Sequence, residues 1–188
     1  RVPDQPLAQA LLKKVQRPLA APSANRSGAV SPTRAEHVVE SLGAKVDLVL
    51  DGGPCEVGLE STVLAVDETP PVLLRPGGIT LDMLRQISPD VAEAKTEQPK
   101  SLKSPGMLES HYAPGLPVRL NVEAPPENEA WLAFGPGAVT DGKSSLNLSA
   151  SGDMEEAASN LFLYLRQLDR PEFSAIAVAP VPETGIGR

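Results

Sequence analysis

The segment Pro22-Ser23-Ala24-Asn25-Arg26-Ser27-Gly28 gathers hydroxyls and an amide in one short loop. Within a few residues it runs into Ser31-Pro32-Thr33, where helical spacing of apolar residues begins. Such a loop suits an anionic ligand, because free backbone donors and the helix dipole favour negative charge. The same residue types also serve as ordinary loop and cap residues, and Ser31 as an N-cap looks no different in sequence from Ser31 as a ligand contact. Arg75 follows Val72-Leu73-Leu74 and precedes Pro76-Gly77-Gly78, which puts a fixed positive charge at the carboxyl end of a strand. Ligands collect at that end of open α/β sheets, and the forked donors of arginine fit a phosphate better than lysine does. A surface ion pair would use the same residue. Ser61, in Leu59-Glu60-Ser61-Thr62-Val63, opens a strand and serves either as an edge cap or as a substrate contact.

Other reactive residue types carry less. Cys55 has no histidine close in sequence to activate it and reads as a small buried thiol rather than a nucleophile. His37 falls on the polar flank of a helix and is expected to be solvated. His111-Tyr112 sits in a polar stretch where an aromatic side chain calls for a surface to cover, so the pair is expected to fold over a pocket. Phe134-Gly135-Pro136-Gly137 and Gly185-Ile186-Gly187 lack the full dinucleotide fingerprint and read as tight turns. One cysteine and two histidines exclude an internal disulfide and a Cys/His zinc site of ordinary ligand count. No residue is assigned as a catalytic nucleophile and none as a metal ligand.

The elements that must hold these residues follow from spacing. Asp4 as N-cap and Pro6 in the first turn start a helix with Leu7, Ala10, Leu11 and Val15 on one face, ending near Arg17-Pro18. A second helix is expected from Ser31 to Leu42, with Pro32 at its first position and Gly43 closing it. Val46 to Leu50 reads as a short buried strand leading into the turn Asp51-Gly52-Gly53-Pro54. Strands Ser61 to Val66 and Val72 to Leu74 and a helix from Leu81 to Ile87 complete this half. From about Ala92 to Pro117 the composition turns to Lys, Glu, Gln, Ser, Pro and Gly, as in a linker. Beyond it come strands Val118 to Val122, Trp131 to Phe134 and Ala175 to Ala179. An amphipathic helix begins at Asp153, has Glu156 placed for a capping box, and stacks Ala157, Leu161, Phe162, Leu165 and Leu168 on one face. Strand, helix, strand implies an α/β module.

A chain of 188 residues with 41% apolar and 22% charged residues has the composition of a globular protein with one good core or two small ones. Its net charge of -7 and pI near 4.9 argue against a basic face that binds nucleic acid. The absence of a spanning-length apolar run and of a signal-like start predicts a cytoplasmic location. Arg1 at the start and Arg188 at the end read as cuts in a longer chain.

Taken together, Ala21-Pro22-Ser23-Ala24-Asn25-Arg26-Ser27-Gly28, Ser31-Pro32-Thr33, Leu50-Asp51-Gly52-Gly53, Gly58-Leu59-Glu60-Ser61-Thr62-Val63 and Leu74-Arg75-Pro76-Gly77 resemble the later motifs of the YrdC-like synthase domain. Ser104-Pro105-Gly106-Met107 and His111-Tyr112-Ala113-Pro114 are similar to the linker of the long form of that family, the threonylcarbamoyl-adenylate synthases. The resemblance implies an α/β chain in three parts. These are the C-terminal part of a twisted open-sheet YrdC-like domain at 1–91, a linker at 92–117, and a small, incomplete Rossmann-like domain at 118–188.

It further implies a nucleotidyltransferase that forms threonylcarbamoyl-AMP and pyrophosphate from L-threonine, bicarbonate and ATP, with Mg2+ accompanying the ATP. Other tRNA-modification proteins then use the product, so direct tRNA binding is not expected. A carbamate on the threonine amine attacks the α-phosphate, and the protein mainly positions reactants and balances charge. By the same resemblance Ser23, Asn25, Ser31, Arg75 and Tyr112 contact ATP or the adenylate, and Arg1, Ala21 and Ser61 form the threonine pocket. The family's N-terminal Lys/Arg-rich motif has no counterpart here, so the 188-residue chain alone is expected to catalyse poorly. A noncatalytic nucleotide- or RNA-binding module of the same fold is the alternative. A transcarbamoylating maturation enzyme would need zinc-finger cysteines and an acylphosphatase-like segment, and the sequence shows neither.

Overall fold

The computed structural model describes residues 3–94, 113–124 and 127–187. Helix α1 spans Pro6–Val15, with Pro6 at its start. Its N-cap is Gln5 rather than Asp4, since the Gln5 side chain accepts from the Ala8 N–H at 2.8 Å. Helix α2 spans Ala35–Leu42 and ends at Gly43, which takes φ 52° in a conformation glycine accepts without a Cβ clash. It starts later than the spacing predicts. Arg34, not Ser31, is its cap, and the backbone there is extended. The hydroxyl and carbonyl of Ser31 are spent elsewhere, on contacts described below.

Strands β1 (Val63–Ala65) and β2 (Val72–Arg75) form an antiparallel hairpin with Val63 opposite Arg75. Helix α3 (Leu81–Ile87) follows, capped by the Thr80 side chain. Residues 92–93, at the start of the polar stretch, form strand β3 (Ala92–Glu93), parallel to β2. The sheet order is β1-β2-β3, and its core is small: Leu73, Leu81 and Val91, with Leu64 and Leu84 packed against them. Val46 to Leu50 does not form the expected strand. No described strand lies alongside to pair with it, and Leu48 is left 74% exposed. Leu7, Leu11, Val39, Val57, Ile79 and Ile87 also stand exposed.

The second unit is built from four parallel strands, β4 (Val118–Arg119), β5 (Ala130–Ala133), β6 (Ser145–Asn147) and β7 (Ile176–Val178), in the order β4-β7-β5-β6. Strand β6 was not expected, because Ser145-Leu146-Asn147 offers a single apolar residue. Helix α4 (Met154–Leu168) crosses over between β6 and β7 and lays Ala157, Phe162, Leu165 and Leu168 onto Ala130, Leu132, Ile176 and Val178. Asp153 caps it by accepting from the Glu156 N–H at 2.8 Å. The return half of a capping box is replaced by a relay: the Asp153 N–H donates to Ser149 Oγ, and Ser149 Oγ donates to Glu156. Val30 of the first unit is 4% exposed and belongs to the core of the second.

Candidate functional site

The β1–β2 hairpin positions two of the predicted site residues. Arg75, the last residue of β2, reaches back along β1 and donates from Nε and Nη2 to the Ser61 carbonyl oxygen at 3.1 and 2.8 Å. Its Nη2 also lies 3.4 Å from Ser61 Oγ. The surrounding segments are laced together. Thr62 Oγ1 donates to the Ile79 carbonyl at 2.6 Å and accepts from the Ile79 N–H at 3.0 Å. Gly77 must be glycine at this crossing, since a Cβ there would collide with the backbone of Glu60 and Thr62.

Glu60 links this corner to the loop before α2. Ser31 is 7% exposed and its hydroxyl donates to Glu60 Oε1. Upstream, Asn25 Nδ2 donates to the carbonyls of Ala29 at 2.8 Å and Arg26 at 3.1 Å, closing the loop on itself. Asn25 Oδ1 is buried and has no hydrogen-bond partner among the described residues. Gly28 takes φ +81° at the bend. Ser23 and Ala21 are exposed at the mouth of the loop. Arg1, Tyr112 and its neighbour His111 lie outside the described residues.

Thus Ser31, Ser61 and Arg75 come together through Glu60, with Asn25 in the adjoining loop. Glu60 was given no role from sequence, although it precedes Ser61 in the same motif. A cleft of about 490 Å³ opens beside them, between Glu60, Arg75 and Gly77 on one side and Ala157, Leu161 and Phe162 of α4 on the other.

Two expectations are corrected. His37 is buried rather than solvated, at 6% exposure. Its Nδ1 accepts the Thr33 N–H at 3.2 Å, a donor left over by the late start of α2. Burial, and next the Arg166 guanidinium, push its pKa below the ordinary value. Cys55 is exposed rather than buried. Partial enclosure of its sulfur, together with the Glu60 carboxylate, nonetheless raises the thiol pKa, opposite to what a nucleophile needs.

Arg166, on the last turns of α4, was not foreseen at all. Its Nη2 donates to the Val30 carbonyl at 2.5 Å and its Nε to the Ser31 carbonyl at 3.4 Å. Nη2 also lies 3.5 Å from Ser41 Oγ at the far end of α2. Burial lowers its pKa, against the raising influence of Glu40 and Asp169.

Residues 79–188 match the family model for the C-terminal domain of threonylcarbamoyl-AMP synthase. The chain belongs to the threonylcarbamoyl-AMP synthase family. Residues 1–77 match a second model, that of Sua5, YciO and YrdC, described as telomere recombination. The chain is 37% identical over 204 residues to the threonylcarbamoyl-AMP synthase of Bacillus subtilis, and 38% identical over 203 residues to that of Pyrococcus abyssi. Both alignments cover 100% of this chain and 59% of the relative, so the chain spans well under two thirds of their length. The crystal structure of P. abyssi Sua5 complexed with L-threonine superposes with a TM-score of 0.85 at 35% identity, covering 100% of this chain and 59% of that one. A His-to-Ala, Tyr-to-Ala double variant of P. abyssi Sua5 superposes with a TM-score of 0.83 at 34% identity. The mixed α/β fold expected from sequence is therefore that of the family.

Proposed function

We propose that this chain supplies part of an L-threonylcarbamoyladenylate synthase, which joins L-threonine, bicarbonate and ATP into threonylcarbamoyl-AMP and pyrophosphate. The observation that carries this reading is the meeting of Ser31, Glu60, Ser61 and Arg75 at one corner. It comes in a chain that superposes on a threonine-complexed relative.

In this reading a carbamate oxygen on the threonine nitrogen attacks the α-phosphorus as the bond to pyrophosphate breaks. Arg75 balances phosphate charge, and Ser23, Asn25 and Ser31 position the nucleotide, Asn25 Oδ1 offering its unpaired acceptor. Ala21 and Ser61 shape the threonine pocket with Arg1, and Tyr112 covers the nucleotide. Mg2+ comes with the triphosphate. Among the described residues no group of three or more His, Cys, Asp or Glu side chains is placed to hold a metal by itself.

We place the catalytic part at 1–91, the linker at 92–117 and the smaller domain at 118–188. The product passes to downstream tRNA-modification proteins, and the acidic net charge of -7 leaves tRNA contact to them. The setting is the cytoplasm; no helix among the described residues is long and apolar enough to cross a membrane.

Calorimetric titration with ATP, with and without L-threonine and bicarbonate, tests the reading. Binding that threonine strengthens and Arg75→Ala abolishes supports it. Nucleotide or RNA binding indifferent to threonine would instead make this a noncatalytic module of the same fold.

A further inference from the structure

We propose that Arg166 is a positioning residue for the loop that carries Asn25 and Ser31, so that the second unit sets the shape of the nucleotide site; the proposal rests on the nucleotide reading given above. A helix that only had to pack would place an aliphatic residue at this position, since a partly buried guanidinium is costly to desolvate. Here the forked donors are aimed at the carbonyls of two consecutive residues, Val30 and Ser31. The Val30 side chain is meanwhile buried in the core that α4 builds. With both carbonyls and one side chain fixed, the freedom left to Ser31 is rotation of its hydroxyl, which points to Glu60.

The C-terminal end of α4 secures the other flank of the loop. Asp169, the C-cap three residues after Arg166, accepts the Gly115 and Leu116 N–H groups at 2.7 and 2.9 Å. The Ala113 N–H donates to the Gly28 carbonyl at 3.0 Å, and Ala29 and Ala113 form a parallel bridge. The loop is therefore held between the segment 113–116 and α4. Arg26 Nε reaches the Ser41 carbonyl at 3.4 Å and Arg166 lies beside the Ser41 hydroxyl, so α2 is drawn into the same clamp.

The test uses the full 188-residue chain and two variants. Arg166→Met keeps the aliphatic stem and its packing but removes every donor; Arg166→Lys keeps the charge without the fork. ATP is titrated into each protein, and backbone amide exchange is followed at 28–33 and along α4. The expected result for Arg166→Met is ATP affinity lowered about tenfold or more, as for loss of a charged hydrogen bond, with faster exchange at 28–33 and α4 still protected. Arg166→Lys should recover part of both. Wild-type affinity together with unchanged exchange at 28–33 in Arg166→Met would overturn the proposal. If the unaltered chain binds no ATP, the nucleotide reading fails, and the exchange at 28–33 alone decides whether Arg166 shapes the loop. If α4 itself loses protection in Arg166→Met, the local effect is judged on Arg166→Lys, where unchanged exchange at 28–33 would overturn it.

Discussion

Arg75 and Ser61 are joined by a forked contact in which two nitrogens of one guanidinium share one carbonyl oxygen, at 3.1 and 2.8 Å. The contact ties the carboxyl end of β2 to the residue that precedes β1 and fixes where the positive charge sits. Arg75→Ala should weaken ATP binding about tenfold or more, and Arg75→Lys should fail to restore it, because an ammonium cannot grip the carbonyl and face a phosphate in the same geometry. Titration calorimetry reads both; equal affinity for ATP in Arg75→Lys and the unaltered chain would sink the claim that the fork matters.

The burial of His37 gives the fold a pH dependence whose sign can be worked out. Its folded-state pKa lies below 6.5, chiefly through burial and then Arg166, with Arg34 adding to the lowering and Glu40 and Glu36 opposing it. The unfolded chain therefore holds the proton more tightly. Stability from this group is complete above the unfolded value and is lost as pH falls through the folded one. The melting temperature should drop on acidification from about pH 7.5 to about pH 5.5, and drop less in His37→Asn, which keeps an acceptor but does not titrate. Parallel pH profiles for the two proteins would show that His37 is not the cause.

Gly58 lies close against α4 of the second unit. It takes φ +70°, and a Cβ there would lie 2.6 Å from the Cα and carbonyl oxygen of Ser159 in α4. Gly58→Ala combines backbone strain with a clash that only separation can relieve, at a cost of about 1–3 kcal/mol. Urea unfolding measures it, and an unchanged midpoint would mean that the units do not need this contact.

Asp153 holds the start of α4 through the Glu156 N–H. Asp153→Ala should destabilise the second unit by about 1 kcal/mol, and Asp153→Ser by much less. Far-UV circular dichroism during thermal unfolding distinguishes the two, and identical melting curves for both variants would remove the cap from the account.

What could be read from the chain was whatever depended on near neighbours. The cap at Asp153, the apolar face of α4, the end of α2 at Gly43 and the place of Arg75 at a strand terminus all follow from spacing within a few residues. Ser31 could not be read that way, because the group that takes its hydroxyl is Glu60, 29 positions on. Val46 to Leu50 has the composition of a buried strand, but pairing is supplied by other segments, and the described ones offer none. His37 is polar by type yet buried by what packs against α2, and Arg166 acts 136 positions from Val30, a distance over which no local pattern carries information.

The burial of Val30 among residues of the second unit has a consequence for how the protein is made. The buried residues that share its core run from Ala130 to Val178. At roughly 5–20 residues per second, the ribosome releases the last of them on the order of ten seconds after Val30. During that interval the loop has its sequence but not its seat. A nascent chain stalled before β7 should therefore already contain Asn25 and Ser31 and still lack the arrangement that makes them useful. Across a series of chains stalled at increasing lengths, protease protection of residues 22–31 would appear only once β7 has left the exit tunnel.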